Sequence, residues 1–186
     1  DAAGEAFDKV ARVIGLGYPG GPKIDRAAKE GDRESIAFKR VYLEPGSLDF
    51  SFSGLKTQAL NYLNQERQAG REIRVNDVAA SFQEAVVEVI ADKAVMAAEK
   101  YGQKQIVMAG GVASNTRLRE LIEEKAAAKA KKEAEKLERE KQREAKRLLR
   151  EDRKRRHKIY VEEQKKRKAE EKKRKAEEKA ASKREQ

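Results

Sequence analysis

The residues best placed to do chemistry in this chain lie at two glycine-rich breaks. Gln105-Ile106-Val107-Met108-Ala109 is a short, nearly continuous apolar run, followed by Gly110-Gly111 and then by a helical pattern from Ser114. A buried strand, a glycine turn and a helix N-terminus can hold a phosphate or nucleotide, because unpaired backbone N–H groups point into the turn. A glycine pair between strand and helix is also an ordinary connection, and both readings stand. The second break, Gly17-Tyr18-Pro19-Gly20-Gly21-Pro22, reads as a loop in which Gly20-Gly21 either admits a ligand to the backbone or simply turns the chain. Cysteine is absent, and the one histidine, His157, sits in a basic run. Disulfides, thiolate catalysis, zinc-thiolate sites and a Ser-His-Asp triad are therefore excluded within this chain. A metal would need carboxylates alone.

The elements that must position these breaks follow from periodicity. Ala6, Val10, Val13 and Ile14 share a face of a helix over residues 5–16, with Glu5 and Asp8 in its opening turns and Gly15 and Gly17 ending it. Residues 38–43 and 48–52 flank Glu44-Pro45-Gly46-Ser47 and read as a hairpin around a Pro-Gly turn. Leu55, Ala59, Leu60 and Leu63 mark a helix starting near Ser53. Residues 78–101 carry apolar side chains around much of a helix's girth and should form a core helix. Residues 106–109 are expected to be a buried strand.

Charge divides the chain. Residues 1–120 hold 17 Lys and Arg against 17 Asp and Glu, so of the 44 basic and 33 acidic residues the remaining 27 and 16 fall in residues 121–186. The net charge of +11 belongs to that tail. We therefore expect two domains, a folded one over 1–120 and a basic, charge-rich helical tail over 121–186. No window approaches the ~20 apolar residues of a membrane span, and Asp1-Ala2-Ala3-Gly4-Glu5 lacks the pattern of a signal peptide. The expectation is a soluble, cytoplasmic protein with no membrane partner; the tail's basic clusters also match the pattern of nuclear-import signals.

Five stretches carry a resemblance. They are Asp1-Ala2-Ala3-Gly4-Glu5-Ala6-Phe7-Asp8-Lys9-Val10-Ala11, Tyr18-Pro19-Gly20-Gly21-Pro22, Asp49-Phe50-Ser51-Phe52-Ser53-Gly54-Leu55-Lys56-Thr57, Ala80-Ser81-Phe82-Gln83-Glu84 and Ala109-Gly110-Gly111-Val112-Ala113-Ser114-Asn115. In order and spacing these resemble the tRNA threonylcarbamoyladenosine transferase family (TsaD), over residues 1–124. The resemblance implies an α/β fragment of the actin-like ATPase fold, mostly helical with a hairpin and a buried strand, followed by a long charged α-helix. It implies transfer of a threonylcarbamoyl group from its adenylate to the adenosine beside the anticodon of tRNA. It places the substrate-adenylate contacts on Asp8, Gly21, Asp25 and Asn115. Carboxylates can accept from ribose hydroxyls, a glycine permits close approach, and an amide both donates and accepts. Asp8 as a solvated helix residue, Asp25 as a cap and Asn115 as a first-turn residue are the competing readings.

The departures matter equally. The family's upstream lobe, its His-x-x-x-His metal ligands, its acyl-adenylate phosphate loop and its last aspartate ligand have no match, so no cofactor is expected to be retained and no catalytic residue is assigned. The chain is expected to be a partial lobe that is not active alone, marginally stable or oligomeric, with a partner chain able to supply the missing lobe. In the tail, Glu135 with Arg139, Glu151 with Arg155, Asp152 with Arg156, Glu162 with Lys166, Glu163 with Arg167, Glu170 with Arg174 and Glu171 with Lys175 stand at helix-neighbour spacing. A helix from Ser114 to the C-terminus would be on the order of 100 Å long at ~1.5 Å per residue. Disorder and a coiled coil compete with it, although Leu137, Leu148 and Ile159 are too sparse for a seam. The alternative functions are a helical spacer that binds RNA or another polyanion through residues 153–158 and the Lys-Lys-Arg-Lys blocks, and an engineered fusion without activity.

Overall fold

The computed structural model describes residues 2–182, with side chains through Lys175. Asp1 of the first motif and the expected helix over 183–186 lie outside the described residues. The chain divides into two compact units, Asp1–Ala130 and Lys131–Gln186.

The first unit is built of helices packed on a central one. Helix α1, Ala3–Val13, buries Ala6, Phe7, Val10 and Ala11 along one stripe. Gly15 ends it with φ of 86°, which lets the Leu16 N–H reach back 2.8 Å to the Ala11 carbonyl. Helix α2 is Gly20–Ala28. This corrects the expected loop: the break closes at a cis Tyr18–Pro19 bond, and Gly20-Gly21-Pro22 forms the first turn of α2. Pro22 fits there because first-turn N–H groups have no partner within the helix and a proline forfeits nothing. The core helix begins and ends close to expectation, as α4, Val75–Lys100, after α3, Ser53–Gln68.

Packing explains α4. Phe82 meets Phe7 edge-on at 5.9 Å and Phe38 at 6.3 Å, so one ring ties α1, α4 and the intervening loop together. Helix α2 lies against both α1 and α4. A close approach fixes Gly31 just beyond α2, where a Cβ would stand 2.0 Å from the Asn76 carbonyl oxygen. Asp77, buried at the start of α4, accepts from the Asp32 N–H at 2.9 Å and so anchors the same crossing.

Neither expected β feature forms among the described residues. The Pro-Gly turn exists, with Gly46 at φ of 79° and Ser47 N–H on the Glu44 carbonyl at 3.0 Å, but no ladder grows from it. Side chains have taken the ladder's places. Gln58 accepts from Lys39 N–H at 2.7 Å and donates to its carbonyl at 3.1 Å, while Lys93 donates to the Asp49 carbonyl. Residues 106–109 fail for a related reason: a strand is a paired object, and no second strand lies beside them among the described residues. Ile106 and Met108 pack on the core, yet Val107 between them is 88% exposed. Among the described residues the first unit is thus mostly helical, as expected, with irregular connections in place of the expected hairpin and buried strand.

A 3-10 turn, Gly111–Ser114, leads into helix α5, Thr116–Ser182, whose opening turns belong to the first unit. In the second unit α5 is exposed along nearly its whole length. Of the expected tail pairs, Asp152 meets Arg156 at 2.8 Å and Glu171 meets Lys175 at 2.6 Å, whereas Glu151 turns to Arg147 at 3.9 Å. Among the described residues no helix is long and apolar enough to cross a membrane.

Gly31→Ala should lower the unfolding free energy by about 2 kcal/mol or more, since backbone must shift to admit the methyl group. Gly111→Ala, where a Cβ would meet nothing within 4 Å, should change it by less than about 1 kcal/mol. Urea denaturation of the two variants checks the contrast.

Candidate functional site

Two helix beginnings face one cavity. The N-terminus of α2 and the N-terminus of α5 open on a space of about 770 Å³, and Asp8, Gly21, Asp25 and Asn115 all line it. The structure therefore brings the four sequence-predicted residues to one place, although they come from α1, α2 and the α5 boundary.

Each polar member is engaged in holding a helix start. Asp8 projects from α1 and accepts from the Gly20 N–H at 2.7 Å, which pins the first residue of α2. Gly20 must be a glycine there, because a Cβ would stand 2.5 Å from the Phe7 carbonyl oxygen and 2.6 Å from Asp8 Cα. Asp25 crosses from α2 to α5, accepting from the Thr116 N–H at 3.2 Å and from its hydroxyl at 3.0 Å, with Lys29 Nζ 3.9 Å away. Asn115 caps α5: its Oδ1 accepts from the Leu118 N–H at 2.9 Å, and its Nδ2 donates to Gln83 Oε1 at 2.8 Å inside the core. Asp25 thus does the capping work that competed with a ligand role, and Asn115, whose competing reading was a first-turn residue, stands one position earlier as the N-cap. Gly21 differs from all of these. A Cβ on Gly21 would meet nothing within 4 Å, so its bare backbone borders open cavity.

This arrangement changes what the glycine turn can do. Two of the first-turn donors that a phosphate would use, the Thr116 and Leu118 N–H groups, already have partners in Asp25 and Asn115. Pro22 brings no N–H to the first turn of α2. Acceptor capacity remains instead: Asp8 uses one carboxylate oxygen on Gly20, leaving Oδ2, and each Asp25 oxygen has a second lone pair. Hydroxyl donors suit these walls better than another anion.

Sequence reasoning missed three lining residues. Tyr18, 73% exposed on the rim, offers a ring face, and Arg26 and Lys29 supply positive charge from α2. Their signal was obscured because residues 17–22 read as a loop and no helix was expected over the residues that follow, where α2 turns one side to the cavity.

Behind the site, Arg117 ties α5 to α4. Its guanidinium grips Glu84 through Nε at 2.8 Å and Nη2 at 2.9 Å, both side chains being about 15% exposed, and Nη1 reaches Glu124 at 3.0 Å. Burial pushes the Glu84 carboxyl up, but the hydrogen bonds and charge of Arg117, helped by Arg33 and Arg40, outweigh it and hold its pKa below the ordinary value. The Arg117 pKa is raised, chiefly by its bond to Glu84.

Among the described residues no three of His, Cys, Asp and Glu converge as a metal-holding group. The residues present do not fit the metal ion that the family resemblance implies.

Fold and cavity together define a helical unit with a cleft of mixed polar and apolar lining between helix N-termini. Residues 1–138 match the family described as TsaD, tRNA N6-adenosine threonylcarbamoyltransferase. Among curated relatives, the tRNA N6-adenosine threonylcarbamoyltransferase of Clostridioides difficile (strain 630) is 59% identical over 126 residues, which is 68% of this chain and 37% of the relative. The protein of the same name from Moorella thermoacetica is 58% identical over 119 residues, 64% of this chain and 35% of the relative. That from Desulfitobacterium hafniense (strain Y51) is 57% identical over 124 residues, with 67% and 36% covered. The chain belongs to the TsaD family, and it spans about a third of the length of the curated relatives it matches.

Because the folded pKa of Glu84 is depressed, its pairing stabilises the fold above the unfolded value near ~4.3 and is lost as pH falls through the lower folded value. Arg117→Ala should cost about 2–4 kcal/mol at pH 7, as expected for removing one partner of a largely buried pair. The deficit should shrink below about pH 4. A deficit that is unchanged between pH 7 and pH 3 in denaturant titrations would assign the loss to packing instead.

Proposed function

We propose that the cavity between the α2 and α5 N-termini binds the nucleoside part of an acyl-adenylate, as one face of a threonylcarbamoyl-transfer site. The observation that carries this is the meeting of Asp8, Gly21, Asp25 and Asn115 around one cavity of about 770 Å³. In this reading Asp8 and Asp25 accept from ribose hydroxyls, Gly21 lets the sugar lie against backbone, and Tyr18 stacks on the base. Asn115 acts mainly through α5, which it caps, and its second amide hydrogen is left to point at the ligand. Arg26 and Lys29 balance the adenylate's negative charge.

Transfer needs more than holding. A group that polarises the threonylcarbamoyl carbonyl must stabilise the charge that develops when the tRNA amine attacks. Among the described residues no three of His, Cys, Asp and Glu converge to hold a metal ion for that role, and we assign this cavity the binding part of the reaction. The remaining face would come from a further lobe or partner, in the cytoplasmic setting where tRNA is modified.

A second reading concerns the tail. The confinement of excess positive charge to residues 121–186 favours contact with a polyanion, for which tRNA or another RNA is the natural candidate in this family.

Gly21→Leu fills space that no protein atom occupies, so it should leave the thermal midpoint within a few degrees of the parent while weakening binding of adenosine monophosphate or a stable acyl-adenylate analogue at least tenfold. Isothermal titration calorimetry reads the difference. Equal affinity in parent and variant would remove the cavity from the nucleotide's path.

A further inference from the structure

The tail is uniformly charged in composition but not in space. Within α5, Arg143, Arg147, Arg150 and Lys154 follow one another at steps of four, three and four residues. The same stepping runs upstream through Arg139, Lys136 and Lys132, and downstream, past His157 and Val161, through Lys165, Lys168 and Lys172. At 3.6 residues per turn these positions fall within an arc of about 80°. No acidic residue stands at any of them. Glu144, Asp152, Glu162, Glu163 and Glu170 project elsewhere around the helix, as do the aliphatic Leu137, Leu148 and Ile159, while Glu140 and Glu151 border the arc and Glu151 lies 3.9 Å from Arg147. Apart from the half-buried Val161, the residues of this arc are exposed.

We propose that this one-sided basic face is a docking surface for a nucleic-acid phosphate backbone. The inference rests on the polyanion reading of the tail and specifies which side chains make the contact. Its cations recur about once per ~5.4 Å turn, with a gap of about 16 Å at His157 and Val161, over roughly 60 Å, a little under two turns of a duplex at ~34 Å per turn, so an extended array of phosphates is the complementary shape. An anionic membrane is disfavoured by the same geometry. A helix that settles on lipid buries an apolar face, but here the leucines and isoleucine lie on the side away from the cations and would be held in water. Base stacking has little to work with, so contacts are to phosphates and carry no sequence preference.

The test uses the whole chain and a fluorescein-labelled RNA duplex of about 24 base pairs, with DNA duplex and phosphatidylserine vesicles as parallel arms. The triple variant Arg147→Gln, Arg150→Gln, Lys154→Gln removes charge from the face. A control triple, Lys141→Gln, Arg155→Gln, Lys166→Gln, removes the same charge from the opposite side. With about five phosphates neutralised, log affinity should fall with log salt at a slope near −4 to −5 in the parent. The face variant should bind at least tenfold more weakly, with the slope reduced by about 2–3, while the control stays within threefold. Circular dichroism at 222 nm verifies that both keep the helix. Equal weakening in the two triples would overturn the one-sided face while leaving polyanion binding by the tail intact. Absence of duplex binding at low salt, or binding to vesicles alone, would overturn both.

Discussion

The site depends on how the first turn of α5 is held. Three independent groups converge on it: Asp25 from α2 takes the Thr116 N–H and hydroxyl, Asn115 caps the helix while bonded to Gln83, and Glu84 grips Arg117. Two of these partners, Gln83 and Glu84, sit on α4, the helix around which the core is built. The position of the α5 start is thereby referred to the most deeply packed element in the unit. Asp8 does the same for α2 through Gly20. The cavity is the space left between two helix starts that cannot move independently.

In the proposed site, local structure and ligand contact would use the same atoms. A carboxylate that pins a backbone N–H through one oxygen is oriented and still has lone pairs to offer, which is how a binding group is held without a separate supporting side chain. Removing Asp25 would lose the crossing from α2 to α5 together with the acceptor proposed for the ligand. Loss of binding in such a variant therefore says little about contact, whereas Gly21, which supports nothing, reports on the cavity alone.

Much of this was legible in the sequence, and the exceptions have physical causes. The apolar girth of residues 78–101 gave α4, and Gly15 gave the end of α1, because burial and positive φ are local demands. The hairpin was misread because Pro45-Gly46 does encode a turn, while its would-be ladder is pre-empted by Gln58 and Lys93, whose reach across 19 and 44 residues leaves no local trace. The run at 106–109 has strand composition but, among the described residues, no neighbour to pair with. Helix α2 was hidden by its own start, since Gly-Gly-Pro reads as a breaker unless it falls in a first turn. The four candidate site residues were reached by resemblance, not by pattern; nothing in their spacing says that Asn115 lies beside Asp8. Likewise, the tail's net charge was plain from composition, but its confinement to one face appears only when the helix period is applied to each residue.

The most direct measurement is a backbone amide NMR titration of the whole chain with adenosine monophosphate. If the nucleoside enters between the helix starts, the largest shifts fall on Gly20, Gly21, Gly111, Asn115 and Thr116, saturate together and leave residues 131–175 unmoved. Shifts confined to the basic tail, or none at millimolar nucleotide, would contradict the account.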